Sequence, residues 1–216
     1  VIIGYYIYGV FDIRKNIFIN SINSASKNTI CLTFDDGPDP ESTPKVLDIL
    51  NNNGIKGTFF LIGENVFSNP ELVKRISDEG HAIGNHTYYH KANFPFLCKS
   101  KMTEEIKKTN LLIEEITSTK VTFFRSPFGI TNPNLKSVLK KLNLKSIGWN
   151  IRSLDTITSD SSKLYNKVIK GINRTGSIVL FHDRCTSTIE ILENVITHCE
   201  KNNFQFKTIS DIINEK

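Results

Sequence analysis

Strand-like runs and helical periodicities alternate along almost all of the 216 residues. Apolar, β-rich runs fall at 29–34, 56–62, 82–86, 121–125, 146–151, 177–182 and 204–207. Helical patterns lie between them at 42–53, 70–79, 102–118, 134–142, 161–172 and 188–200, with a terminal helix after the last strand. Strict alternation predicts a parallel sheet covered by helices. About seven such repeats predict an α/β fold that closes, or nearly closes, into a barrel. In the long pattern 102–118, Thr103, Ile106, Leu111 and Leu112 are expected on the apolar face. Barrels of this kind assemble their sites at the C-terminal ends of the strands. Asp35, Asp36, Arg125 and His182 all stand at such ends.

The first strand runs Ile30-Cys31-Leu32-Thr33-Phe34 straight into Asp35-Asp36-Gly37-Pro38. Carboxylates at the end of a core strand are expensive unless a cation or a reaction uses them. A turn leading into a helix N-cap is the plainer reading of the same residues. A second segment decides between them. His86-Thr87-Tyr88-Tyr89-His90 sets two imidazoles four residues apart, on one face if the segment is helical. Two histidines and one carboxylate form the common ligand set of a hydrolytic zinc site with an open position. The pairing of the two segments predicts a bound metal.

Length and composition agree with one soluble domain: 39% of residues are hydrophobic and 23% charged. The net charge of +5 is mild, and no basic stripe is interleaved with aromatics, which argues against nucleic acid as a partner. The stretch 1–11 is uncharged and almost wholly apolar, but too short to span a bilayer as a helix. It reads as the remnant of an anchor or signal segment, with 12–27 as the linker into a domain at 28–216. The four cysteines make no Cys-x-x-Cys pair, so a thiolate zinc site is not expected. Cys31 reads as a small buried hydrophobe, and Cys185 with Cys199 as a pair that an oxidising compartment could join.

Thr33-Phe34-Asp35-Asp36-Gly37-Pro38 and His86-Thr87-Tyr88-Tyr89-His90 resemble the first two motifs of the polysaccharide deacetylases of carbohydrate esterase family four, the NodB-homology domain. Three more segments match in order: Arg125-Ser126-Pro127-Phe128-Gly129, then Gly148-Trp149 through Asp155-Thr156, then Leu180-Phe181-His182-Asp183. The resemblance covers roughly residues 29 to 210 and implies a single catalytic domain with a distorted (β/α)7 barrel.

The resemblance also implies roles. Asp36, His86 and His90 match metal ligands, Asp35 the general base and His182 the general acid. Arg125 matches the arginine that orients the base, and Asp155 the aspartate that tunes the histidine. The backbone N–H at Phe128 corresponds to an oxyanion donor, and many relatives have Tyr there. Trp149 and Leu180 would line a pocket for the acetyl methyl group. Arg152 stands where some relatives carry an additional acid. The implied reaction is removal of N-acetyl groups from amino sugars of a polymer such as peptidoglycan or chitin. The cofactor would be one divalent metal: zinc, with cobalt or nickel as alternatives. An O-acetyl esterase acting on xylan and a catalytically silent glycan-binding domain are the rival readings. The silent domain predicts loss of one of Asp35, Asp36, His86, His90 or His182, and all are present. The implied setting is extracytoplasmic, as a monomer, with a possible membrane anchor.

Overall fold

The computed structural model describes residues 10 and 12–215. Strand β1 (Thr29–Asp35) is buried along its whole length. Helix α1 (Thr43–Asn52) and strand β2 (Thr58–Leu61) follow. Helices α2 (Gly63–Ser68) and α3 (Pro70–Asp78) lead to strand β3 (Ala82–Asn85). The long helix α4 (Lys99–Thr117) precedes β4 (Phe123–Phe124), α5 (Pro133–Leu142) and β5 (Lys145–Ser146). Then come β6 (Ile151–Arg152), α6 (Ser161–Gly171), β7 (Ser177–His182), α7 (Thr186–Lys201), β8 (Gln205–Phe206) and α8 (Ile209–Asn214). The strands pair in parallel in the order β5-β4-β3-β2-β1-β7-β6, with β8 added to the start of β1. This is the expected (β/α)7 architecture, curled but not hydrogen-bonded shut.

Two apolar layers hold the sheet. Alternation along β1 sends Ile30, Leu32 and Phe34 toward the helices, where Phe34 stacks on Phe59 and Phe181. Cys31 points the other way, into the barrel interior with Phe60, Phe123, Ile147, Trp149, Ile178 and Leu180. Thr33 and Asp35 share that inward row. The polar site therefore sits on top of an apolar plug.

Several expectations change in detail. The run 146–151 is two strands, β5 and β6, which belong to opposite edges of the sheet. Only residues 147–150 separate them, so the two edges lie no more than about 18 Å apart. Residues 12–27, read as a linker, pack over that gap. Ile13 and Ile19 are buried, Ile22 pairs with Ile147, and the Ser21 and Ser146 hydroxyls bond at 2.8 Å. The expected strand 121–125 contracts to Phe123–Phe124. The buried stripe of α4 is Met102, Ile106, Thr109 and Ile113, and Leu111 is exposed. Cys31 is buried as expected, but Cys185 and Cys199 are both free thiols. They lie at the two ends of α7, roughly 21 Å apart along its axis, and cannot meet. The apolar stretch 1–11 lies outside the described residues, apart from residue 10.

Candidate active site

Asp35 closes β1 in register with His182 at the end of β7, so an acid and an imidazole stand side by side on neighbouring strand ends. Arg125 follows β4 and reaches across the barrel. Its Nη1 donates to Asp35 Oδ1 at 2.7 Å and to Thr33 Oγ1 at 2.8 Å. Its Nη2 donates to the Gly148 carbonyl at 2.9 Å. The guanidinium is fully buried, 4.0 Å above the Phe60 ring. Burial pushes the Asp35 carboxyl above its ordinary pKa, and the Arg125 and His182 charges only partly oppose the rise.

Asp36 follows with φ of 76°, a left-handed backbone for a non-glycine residue. The Asn65 amide donates to its carbonyl at 2.8 Å. Burial again disfavours the charge, but His86, His90 and His182 when protonated, together with the Arg184 guanidinium, outweigh it and hold the carboxyl below its usual value. One carboxylate oxygen, Oδ2, accepts from Arg184 Nε at 3.0 Å. The other, Oδ1, is buried without a hydrogen bond and lies 3.6 Å from both His86 Nε2 and His90 Nε2.

The two histidines are not carried on a helix. Thr87 and His90 have φ of 67° and 50°, and the turn between them brings the imidazole centroids to 4.6 Å. Asn85 builds that turn. Its Oδ1 accepts from the Thr87 N–H at 2.7 Å, while its Nδ2 is anchored to the Ile106 carbonyl and Asn110. Gly63 allows the turn to approach, because a Cβ there would stand 2.5 Å from the Tyr88 ring. His86 Nδ1 lies 2.8 Å from the Arg125 carbonyl, which can only accept. Nδ1 therefore carries the proton, and Nε2 turns its lone pair toward Asp36 and His90. Burial holds His86 and His90 neutral, each with a pKa lowered to about 4. Three donors within 4.8 Å of one another, two neutral imidazoles and an orphaned carboxylate oxygen fit a divalent cation.

His182 is held from behind by Asp155. Its Nδ1 donates to Asp155 Oδ1 at 2.8 Å, and its backbone N–H to Oδ2 at 2.6 Å. Thr188 Oγ1 adds a third bond to that carboxylate at 2.6 Å. Burial pulls the His182 pKa down, but Asp155, with Asp35 and Asp36 behind it, raises the net value above the ordinary one. Phe128 bends at φ of 57° and stacks its half-exposed ring on His90. Trp149 and Leu180 line the cavity, which holds about 220 Å³ over Asp35, Asp36, His86, His90 and His182. Trp149 packs against Gly129, where a Cβ would stand 2.6 Å from its ring.

All ten residues singled out from the sequence thus converge on one end of the barrel. Three others were not expected. Thr33 shares the inward face of β1 two residues before Asp35, Asn85 immediately precedes His86, and Arg184 stands two residues after His182. Spacing alone could have flagged Thr33. Arg184 has its partner 148 residues away, and Asn85, though it bonds the nearby Thr87 N–H, is anchored on Ile106 and Asn110 more than twenty residues off.

Known proteins agree with this architecture. The chain is 36% identical to the peptidoglycan-N-acetylglucosamine deacetylase PgdA of Listeria monocytogenes over 87% of its length, and spans 39% of the length of that relative. It is 33% identical to the peptidoglycan-N-acetylmuramic acid deacetylase PdaA of Bacillus subtilis, covering 90% of this chain and 75% of that one. Among solved structures, a carbohydrate esterase family four pseudoenzyme from Bacillus anthracis superposes with a TM-score of 0.82 at 30% identity, over 88% of this chain and 66% of the other. The family model for polysaccharide deacetylases matches residues 22–147. The chain belongs to the polysaccharide deacetylase family of carbohydrate esterase family four.

Proposed function

We propose that this domain is a metal-dependent hydrolase that removes N-acetyl groups from amino sugars of a cell-wall glycan. One observation carries the reading: an orphaned Asp36 oxygen and two neutral imidazoles sit beside a buried carboxylate and an Asp155-backed histidine, in one cavity. A similar fold is found in a pseudoenzyme, so the fold alone carries no activity. The complement of reactive groups does.

Asp36, His86 and His90 would hold the ion. Zinc suits this nitrogen-rich, closely spaced set. When bound, such an ion supplies Lewis acidity toward an amide carbonyl and a lowered pKa for water. Asp35, its pKa raised by burial and its carboxylate held by Arg125, accepts the proton of the attacking water. Oxygen then bonds to the acetyl carbon, and the carbonyl π electrons move onto its oxygen, which the Phe128 N–H receives. As the C–N bond breaks, protonated His182 gives its Nε2 proton to the leaving nitrogen. Acetate and a free amine result. Trp149 and Leu180 would hold the methyl group, and Asp155 keeps His182 charged until the proton is needed. The same reading sets the domain to work outside the cytoplasm, as a monomer. Among the described residues, no helix is long and apolar enough to cross a membrane.

Acetate release from N-acetylated oligosaccharides, peptidoglycan and acetylated xylan tests the reading. Chelation should abolish release, and zinc should restore it. Full activity in exhaustively demetallated protein would overturn the role of the ion. Asp36→Asn should weaken metal binding. Asp35→Asn should bind metal normally while turnover falls by roughly 10²–10⁴-fold. Calorimetric metal titration of both variants separates the roles, and a swap of the two outcomes would reverse them.

A further inference from the structure

The segment ahead of the barrel touches two loops that carry reactive groups. At one end, the Val10 carbonyl accepts from the Thr131 N–H at 3.0 Å, on the loop that follows Phe128. At the other, the Ile22 carbonyl accepts from the Gly148 N–H at 2.9 Å, and the Ile22 N–H donates to the Ser146 carbonyl at 2.9 Å. Between these ends, the buried Ile13 side chain is wedged against both loops. A Cβ on Gly129 would stand 3.5 Å from its Cγ2, and one on Gly148 only 3.1 Å away.

The segment also bonds to itself. Asn16 Oδ1 accepts from the Ser21 N–H at 2.9 Å, and its Nδ2 donates to the Ser21 carbonyl at 3.3 Å. Asn23 Nδ2 donates to Asn16 Oδ1 at 3.1 Å. Asp12 caps the turn that carries Ile13, accepting the Arg14 N–H at 3.1 Å. A flexible tether needs neither internal bonds nor a buried anchor. Compact loops packed by their own side chains are frequently functional.

Both loops aim groups of the cavity. The peptide joining Ile147 to Gly148 gives its N–H to Ile22, and its carbonyl accepts from Arg125 Nε at 3.4 Å. The next carbonyl, of Gly148, accepts from Arg125 Nη2 at 2.9 Å, while Nη1 holds Asp35. The other loop presents Phe128, and its Gly129 lines the cavity with Trp149. We propose that residues 10–23 form a clasp that positions this machinery, with Ile13 as the positioning residue. The clasp fixes the Gly148 carbonyl that directs Arg125 onto Asp35, and it holds the Phe128 turn in place. The kinetic consequence rests on the hydrolase reading, whereas the placement of the loops is read without turnover.

The test compares Ile13→Ala and Ile13→Val with Ile76→Ala. Ile76 is a fully buried isoleucine on α3, in the layer beneath the helices and away from the cavity. Trp149 is the only tryptophan, and it is buried in the same cluster as Ile13, so its emission reports on the loop. In Ile13→Ala that emission should move to longer wavelength and become open to acrylamide quenching. On an N-acetylglucosamine oligomer, kcat of the zinc-loaded chain should fall about 10–100-fold with KM within about twofold, because misplacing reacting groups costs rate rather than binding. Ile13→Val should recover most of both signals. Ile76→Ala should lower the melting temperature comparably and leave emission and kcat unchanged. If Ile13→Ala does not fold, Gly148→Ala forces the same parting, since its Cβ would overlap Asn23 Oδ1. Adding Asn23→Ala removes that oxygen and should restore emission and rate together. Unmoved emission in the first variant, an equal loss of kcat in Ile76→Ala, or no recovery in the paired variant would each overturn the clasp. Absence of acetate release from the unaltered chain would sink the hydrolase reading instead, and Trp149 emission would then decide the clasp alone.

Discussion

The two ends of the barrel each bury a histidine, and the two titrate in opposite directions. His81 lies just before β3, at the N-terminal end of the strands. Its Nδ1 accepts from the Gly57 N–H at 3.0 Å, and its ring packs edge-on against Phe59. Burial, aided by the charge of Lys56, lowers its pKa to about 4, and Glu79 at 3.6 Å is too distant to reverse this. His182 lies at the C-terminal end of β7, is largely though less completely buried, and keeps a raised pKa because Asp155 bonds it directly. Burial alone therefore makes a neutral histidine. A carboxylate at bonding distance makes a charged one. The backbone does not divide the same way: Asn28, Asn143 and Asn203 carry positive φ just ahead of their strands, while Asp36, Thr87, His90 and Phe128 carry it at the end that holds His182. Each such conformation stores on the order of 1–3 kcal/mol, which the packed turns around it must hold.

The comparison breaks first at His182 itself. His182→Ala should reduce turnover of amide substrates by roughly 10²–10⁴-fold, and of activated esters much less. An alkoxide made stable by its substituents leaves without a proton, whereas an amine does not. Steady-state kinetics on a matched amide and ester pair would show it. Equal losses on both would mean that His182 is not the acid.

A smaller effect is expected one bond further out. Asp155→Asn keeps the shape but removes the charge that supports His182. The group acts in its protonated form, so activity in the parent chain should persist up to the raised pKa and fall above it. In the variant that alkaline limb should move to lower pH, toward the behaviour of His81, with a loss of about 10–100-fold near neutrality. A pH–rate profile with an unmoved alkaline limb would show that Asp155 only packs.

Much of this was legible in the sequence because it is local and periodic. Strand ends, the paired aspartates and the histidine spacing are all short-range patterns, and the alternation of elements set the barrel. The losses share a physical cause. Gly63–Ser68 forms a helix with only Val66 and Gly63 buried, too little apolar pattern to register. His86–His90 reads as a helical face by spacing, yet Asn85 folds it into a turn through bonds to α4, some twenty residues away. The run 146–151 looks like one strand because each half is apolar, and only the sheet order shows that it joins two edges. Arg184 was passed over because its partner, Asp36, is 148 residues distant. What depends on tertiary pairing leaves no local trace.

The smallest effect belongs to the opposite end. His81→Gln keeps a side-chain acceptor near the Gly57 N–H but removes the titrating group. His81 lies outside the cavity over Asp36 and His182, so kcat and KM should be unchanged. Stability should change in its dependence on pH. The folded pKa of about 4 lies below the ordinary 6.5, so the unfolded chain takes up this proton first as pH falls. The neutral histidine therefore contributes its full stability above about pH 6.5, and that contribution drains away between 6.5 and 4. In the Gln variant this part of the decline should vanish. Its melting temperature should lie within a few degrees of the parent near pH 7.5, where about 1 kcal/mol corresponds to roughly 2–4 °C in a chain of this size. The two curves should then converge, or cross, toward pH 4. Buried His86 and His90 titrate over the same range in both proteins, so they cancel in the difference. Scanning calorimetry of both chains at matched pH values reads this directly. Parallel curves from pH 7.5 to 4 would show that His81 takes up its proton as readily folded as unfolded, and would remove one half of the contrast between the two ends.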